Sequence, residues 1–115
     1  MSKQTIRNEA MRIGGEKIFT DKTVDVTYPY TEEVIATVPA GTAEHAKKAF
    51  EIAANYQPSL TRYERQQILF RAAEIIRDRR EDIAHWLTLE LGICKQHALY
   101  ETGRSYDVFT LAGQL

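Results

Sequence analysis

A single cysteine, Cys94, occurs among 115 residues, so no disulfide can form within the chain. No apolar run approaches the roughly eighteen residues that a membrane-spanning helix needs. The opening segment, MSKQTIRNEAMR, lacks the hydrophobic core of a signal peptide, and a cytoplasmic, membrane-free setting is expected. Neither sign of charge dominates: 15 basic and 16 acidic side chains leave a net charge of −1. That balance argues against a general nucleic-acid binder. No Gly-x-Gly-x-x-Gly follows a strand and opens a helix, so no motif here binds a dinucleotide. Internal repeats and low-complexity tracts are also absent.

What is present is ordinary for a folded protein: 43% apolar and 27% charged residues. The length fits one domain that can bury a core. The expected fold class is α+β, with short N-terminal β-hairpins followed by four helices. Residues 1–10 are polar and aperiodic and read as a flexible arm. Residues 11–40 read as strands. Gly14-Gly15 suits a two-residue hairpin turn, because glycine tolerates positive φ. Val24, Val26 and Tyr28 alternate with polar neighbours, and so do Val34, Ala36 and Val38 after a turn at 28–33. Pro39 ends that second strand or marks an edge.

Residues 41–115 are helical in character. Thr42 is the expected N-cap of a first helix whose stripe is Ala46, Ala49, Phe50, Ala53 and Ala54, closed before Pro58. Thr61-Arg62-Tyr63-Glu64 reads as a capping box. The second helix is expected to bury Ile68, Leu69, Ala72, Ile75 and Ile76, and the charged run 77–82 is a junction. The third buries Ile83, Trp86 and Leu87 and stops at Gly92. The fourth runs from about Gln96 to the end, with Leu99, Gly103, Tyr106 and Val108 or Phe109 inside. The pattern is still helical at Leu115 with no cap residue, which suggests a piece of a longer chain.

Several residues invite chemistry. Cys94 lies in Leu-Gly-Ile-Cys-Lys at a helix end; a nucleophile needs a lowered pKa and an oxyanion donor nearby, so a small filler role is the simpler reading. Cys94-Lys95-Gln96-His97 is half of a metal site, but His45 and His85 stand on other helices without close partners. Arg71, Arg77, Arg79 and Arg80 are interleaved with Glu74, Asp78, Glu81 and Asp82, as on a solvated helix face with ion pairs. Glu90 follows Trp86 and Leu87 at helical spacing and is expected to face the apolar side, where a carboxylate must be paired, hydrogen-bonded or bound to a cation.

These elements also carry a family likeness. Glu64-Arg65-x-x-Ile68-Leu69, then Arg79-Arg80-Glu81-Asp82-Ile83-Ala84, then Leu87-Thr88-Leu89-Glu90-Leu91-Gly92-Ile93-x-Lys95 resemble the N-terminal region of the NAD(P)-dependent aldehyde dehydrogenase superfamily. The likeness extends to Arg12-Ile13-Gly14-Gly15-Glu16, Tyr28-Pro29, 36–40 and 106–113. It implies that the chain is a fragment of the α/β aldehyde dehydrogenase fold, with 11–115 the N-terminal part of the cofactor-binding domain. The family's nucleophilic cysteine, glutamate base and nucleotide loop lie beyond this segment. In the full-length enzymes a covalent thiohemiacetal passes hydride to NAD or NADP and the thioester is hydrolysed. Neither cofactor is expected to bind this chain alone, and no catalytic or cofactor-binding residue is assigned within it.

The resemblance also implies a monovalent cation site formed by the carbonyls of Val26 and Thr27 with Glu90, although Tyr28 stands where the family has Asn and Glu90 where it has Asp. The competing reading is a Glu90 satisfied by a nearby arginine or by backbone amides. Residues 60–65, 89–93 and 107–114 look most like phosphonoacetaldehyde dehydrogenases, oxidoreductases of phosphonate metabolism. The expectation is therefore an inactive portion of an oxidoreductase that self-associates, most simply as a dimer burying Phe50, Tyr106 and Phe109. The alternative is a stand-alone helical interaction or oligomerisation module.

Overall fold

The structure is a computed structural model and describes residues 6–115. The chain divides into two compact units, Met1–Pro58 and Ser59–Leu115. The first contains β1 (Arg7–Asn8), β2 (Met11–Ile13), β3 (Glu16–Ile18), β4 (Thr23–Thr27), β5 (Val34–Pro39) and α1 (Ala43–Ala54).

Strands β2 and β3 form the expected hairpin, with Ile13 opposite Glu16. Gly14 and Gly15 fill its turn at φ 59° and 85°, values that a two-residue turn matching the strand twist demands and that glycine adopts without a steric penalty. A Cβ on Gly14 would also lie 3.0 Å from Ile52 Cδ1, because α1 rests on this hairpin. A separate sheet has the order β1-β5-β4, with β4 antiparallel and β1 parallel to the central β5. Both faces of β5 are covered, since the adjacent Ile35 and Ala36 are buried. Pro39 is the last residue of β5, so it ends a central strand rather than marking an edge. The sheet corrects part of the expected arm. Residues 1–5 lie outside the described residues, but Arg7 and Asn8 pair with Ala36 and Thr37. A strand of two residues has no periodicity to detect.

The second unit packs α4 (Lys95–Gln114) against both α2 (Arg62–Asp78) and α3 (Arg80–Leu91). Local chemistry sets the helix boundaries. At α2, Glu64 N–H donates to Thr61 Oγ1 at 3.2 Å and Thr61 N–H donates to Glu64 Oε2 at 2.7 Å. A single residue, Arg79, separates α2 from α3. Gly92 stops α3 in the left-handed region, φ 69°, and donates its N–H to the Thr88 carbonyl at 2.9 Å.

The buried positions differ from the expected list. Leu69, Ala72, Ile76, Ile83, Trp86, Leu87, Tyr106 and Phe109 are half-buried. Ile68 is 55% exposed and Ile75 also faces outward. The most buried side chains of this unit are small or of modest size: Ala73, Ala84, Leu89, Ala98, Thr102 and Gly113. A Cβ on Gly113 would stand 2.7 Å from the Phe70 ring. The helices approach through these small residues, so large apolar side chains flank the contact lines instead of filling them. In the first unit α1 buries none of its residues, and Phe50, expected in the core, is 76% exposed. No helix among the described residues is long and apolar enough to cross a membrane.

Candidate functional site

The candidate cation ligands fall in both units. In the first, the β4–β5 ladder loses register between Val26 and Thr27, just before the turn. The turn is closed by Tyr28 N–H donating to the Glu33 carbonyl at 2.9 Å and by Glu32 N–H donating to the Tyr28 carbonyl at 2.8 Å, with Glu32 at φ 61°. Val26 is half-buried and Thr27 is exposed. In the second unit Glu90 is the penultimate residue of α3 and is exposed, which corrects the expectation that it faces the apolar side. Leu89 takes the buried place. No arginine or backbone amide binds the Glu90 carboxylate among the described residues, and in water it needs none.

Cys94 is the N-cap of α4, exposed, and its side chain makes no capping hydrogen bond. The adjacent Lys95 is engaged with Glu81, Nζ to Oε2 3.0 Å. His97 and His85 are exposed, the latter edge-on to Trp86 with ring centroids 6.1 Å apart. Among the described residues no three His, Cys, Asp or Glu side chains converge on a point that could hold a metal ion. The arginine ridge is a solvated face: Arg77 pairs with Glu74 and Asp78, and Arg79 pairs with Asp82 at 2.6 Å.

Shallow grooves lie along the helices of the second unit. One of about 350 Å³ runs beside Gly103 between Arg80 and Arg104. Both arginines have partners: Arg80 donates to the Leu99 carbonyl at 3.3 Å, and Arg104 lies 3.6 Å from Glu101. Another of about 240 Å³ is lined by Glu81, His85, Thr88 and Lys95. Thr88 Oγ1 is buried without a hydrogen-bond partner among the described residues. In these two grooves no hydrogen bond among the described residues joins a nucleophile to a base. The Gly14-Gly15 pair is committed to the turn of the β2–β3 hairpin.

One titratable group is held clearly off its ordinary value. The Thr61 backbone amide, and after it the Thr61 hydroxyl at 2.8 Å, hold the Glu64 carboxyl below the usual carboxylate range. A feature missed in the sequence is at α1, where His45 takes the place that Glu64 has at α2. Thr42 was legible as a cap, but a Thr-x-x-His pattern does not announce a capping box, whose third position is usually Glu or Gln.

Residues 18–115 match the model of the "Aldehyde dehydrogenase family". The chain is 37% identical over 112 residues to malonate-semialdehyde dehydrogenase 2 of Oceanobacillus iheyensis, covering 93% of this chain and 23% of the relative. It is 35% identical over 92 residues to lactaldehyde dehydrogenase of Methanocaldococcus jannaschii, covering 77% of this chain and 20% of the relative. The crystal structure of aldehyde dehydrogenase 21 from Physcomitrella patens superposes with a TM-score of 0.90 at 30% identity, over 96% of this chain and 24% of that one. The chain thus spans under a quarter of the length of the curated relatives it matches.

Proposed function

The chain belongs to the aldehyde dehydrogenase family, and from that premise we propose that it serves as the N-terminal portion of an NAD(P)-dependent enzyme that oxidises an aldehyde to its carboxylic acid. The family match over residues 18–115 carries this reading. These residues supply scaffold: a hairpin, a small sheet and capped helices. The cofactor would accept hydride in the complete enzyme.

For the substrate we propose a short aldehyde bearing an anionic group. Phosphonoacetaldehyde, suggested by residues 60–65, 89–93 and 107–114, is of that kind. The relatives above carry other names: the first is a malonate-semialdehyde dehydrogenase, whose substrate bears a carboxylate. The second is a lactaldehyde dehydrogenase, whose substrate is uncharged. The anionic reading thus rests on the first relative and on the phosphonate likeness.

The test is a chimera in which these 115 residues replace the matching segment of the Oceanobacillus iheyensis enzyme. A folded chimera that oxidises malonate semialdehyde or phosphonoacetaldehyde supports the proposal. A chimera that folds, binds NAD and turns over neither aldehyde contradicts it.

Two narrower proposals go with this one. The carbonyls of Val26 and Thr27 and the carboxylate of Glu90 are hard oxygen donors suited in kind to a monovalent cation. If they hold one in the complete enzyme, sodium chloride should raise the chimera's melting temperature more than choline chloride does, and Glu90→Gln should erase the difference. Equal responses with and without Glu90 contradict that site. The exposed apolar side chains, Phe50 and Tyr56 on the first unit and Ile68, Val108 and Leu111 on the second, favour self-association of the separate chain. They are also the observation behind the second reading, an interaction module without enzymatic activity.

A further inference from the structure

The N-terminus of α1 is closed by a capping box of unusual composition. The residue three positions into such a box is ordinarily Glu or Gln, whose oxygen accepts the N-cap amide. Here it is His45. Thr42 N–H donates to His45 Nδ1 at 3.2 Å, the Thr42 hydroxyl lies 3.1 Å from the same nitrogen, and His45 N–H donates to Thr42 Oγ1 at 3.3 Å. A backbone N–H can only donate, so Nδ1 must present its lone pair and the ring proton must sit on Nε2.

We propose that His45 makes the first turn of α1 a pH-sensitive latch, closed while the imidazole is neutral and opened when Nδ1 takes a proton. Protonation turns the acceptor into a donor facing another donor, the Thr42 N–H. It also places a positive charge in the first helical turn, against the positive end of the helix dipole. Both effects act in the same direction.

On α1 itself the charged neighbours are Glu44, Lys47, Lys48 and Glu51, and Lys47 lies 4.0 Å from Glu51. The helix rests on the β2–β3 hairpin, whose charged side chains are Arg12, Glu16 and Lys17; Glu16 is drawn to Lys48 at 3.9 Å. Among the described residues no carboxylate stands within ion-pair distance of His45. Ile52, in the last turn of the same helix, lies against Gly14, so the latch acts at the end of α1 opposite that contact.

The test uses the 115-residue chain and two NMR readouts. Nitrogen-15 shifts of the His45 ring at about pH 7.5 should show the Nε2–H tautomer; a dominant Nδ1–H tautomer overturns the proposal. Amide protection at Thr42, His45 and Ala46, corrected for intrinsic exchange, should fall about five-fold between about pH 7.5 and about pH 5.5. In His45→Gln, which keeps an acceptor and removes the titration, the fall should vanish. Protection that drops equally in both proteins, or in neither, overturns it. If His45→Gln does not fold, the tautomer measurement on the unaltered chain decides alone.

Discussion

Two residues show how single atoms set the behaviour of this chain. Glu64 accepts hydrogen bonds from the Thr61 backbone and hydroxyl, and its carboxyl is held below the ordinary range. A carboxyl depressed in this way contributes stability that is fully present above its ordinary value, about pH 4.3, and that is lost as the pH falls through the folded value. The α2 cap should therefore loosen on acidification. Thermal melts of Glu64→Gln should be less steep against pH in the acid range than those of the unaltered chain, and parallel slopes would contradict the cap's role. Gly113 is the opposite case, a residue needed for its lack of a side chain. In Gly113→Ala the new methyl meets the Phe70 ring at 2.7 Å and the Leu69 Cβ at 3.4 Å. Overpacking costs about 1–3 kcal/mol and the gain in helix propensity returns about 1 kcal/mol. A net loss of up to about 2 kcal/mol in urea unfolding is expected; a stabilised variant would show that α2 and α4 are less tightly apposed.

At the scale of elements, the caps were legible in the sequence and much of the packing was not. Thr42, Thr61 and Gly92 act on neighbours three or four residues away, and that chemistry is written locally. The Gly14-Gly15 turn was legible for the same reason. Burial depends on which elements meet, and here they meet over Ala73, Ala84, Ala98 and Gly113. Hydropathy periodicity follows large side chains, so it placed Phe50, Ile68 and Ile75 inside. It also turned Glu90 toward the core, whereas the adjacent Leu89 occupies that place. The contrast is measurable. Leu69→Ala removes a half-buried side chain and should cost about 2 kcal/mol, the low end for cavity-forming substitutions. Phe50→Ser removes a ring exposed within its own unit and should change stability by less than about 0.5 kcal/mol when measured at a concentration too low for association. A large loss for Phe50→Ser would place α1 against a surface that this structure does not show.

For the whole molecule, the family was legible because its motifs run along nearly the full chain, while the substrate was not. Residues 60–65, 89–93 and 107–114 form helices and caps, and such residues speak to fold more than to what an active site reads. The apolar side chains left bare on α1, α2 and α4 predict that the separate chain associates. Tyr106 and Phe109, expected at that interface, are half-buried within their own unit, so Phe50, Ile68 and Leu111 are the better positions to test. Sedimentation at micromolar concentration should show dimers or larger species, and charged substitutions at those three positions should shift them to monomer; a monomer at every concentration would contradict the prediction.

As the proposed N-terminal portion of an aldehyde-oxidising enzyme, the separate chain is expected to show no turnover of its own. The most direct measurement is NADH or NADPH formation by the purified chain mixed with NAD+ or NADP+ and malonate semialdehyde or phosphonoacetaldehyde. No reduction above the buffer rate is expected. Turnover that disappears in Cys94→Ser would contradict it, because the chemistry would then reside on the one thiol that this structure leaves exposed and unpartnered at the start of α4.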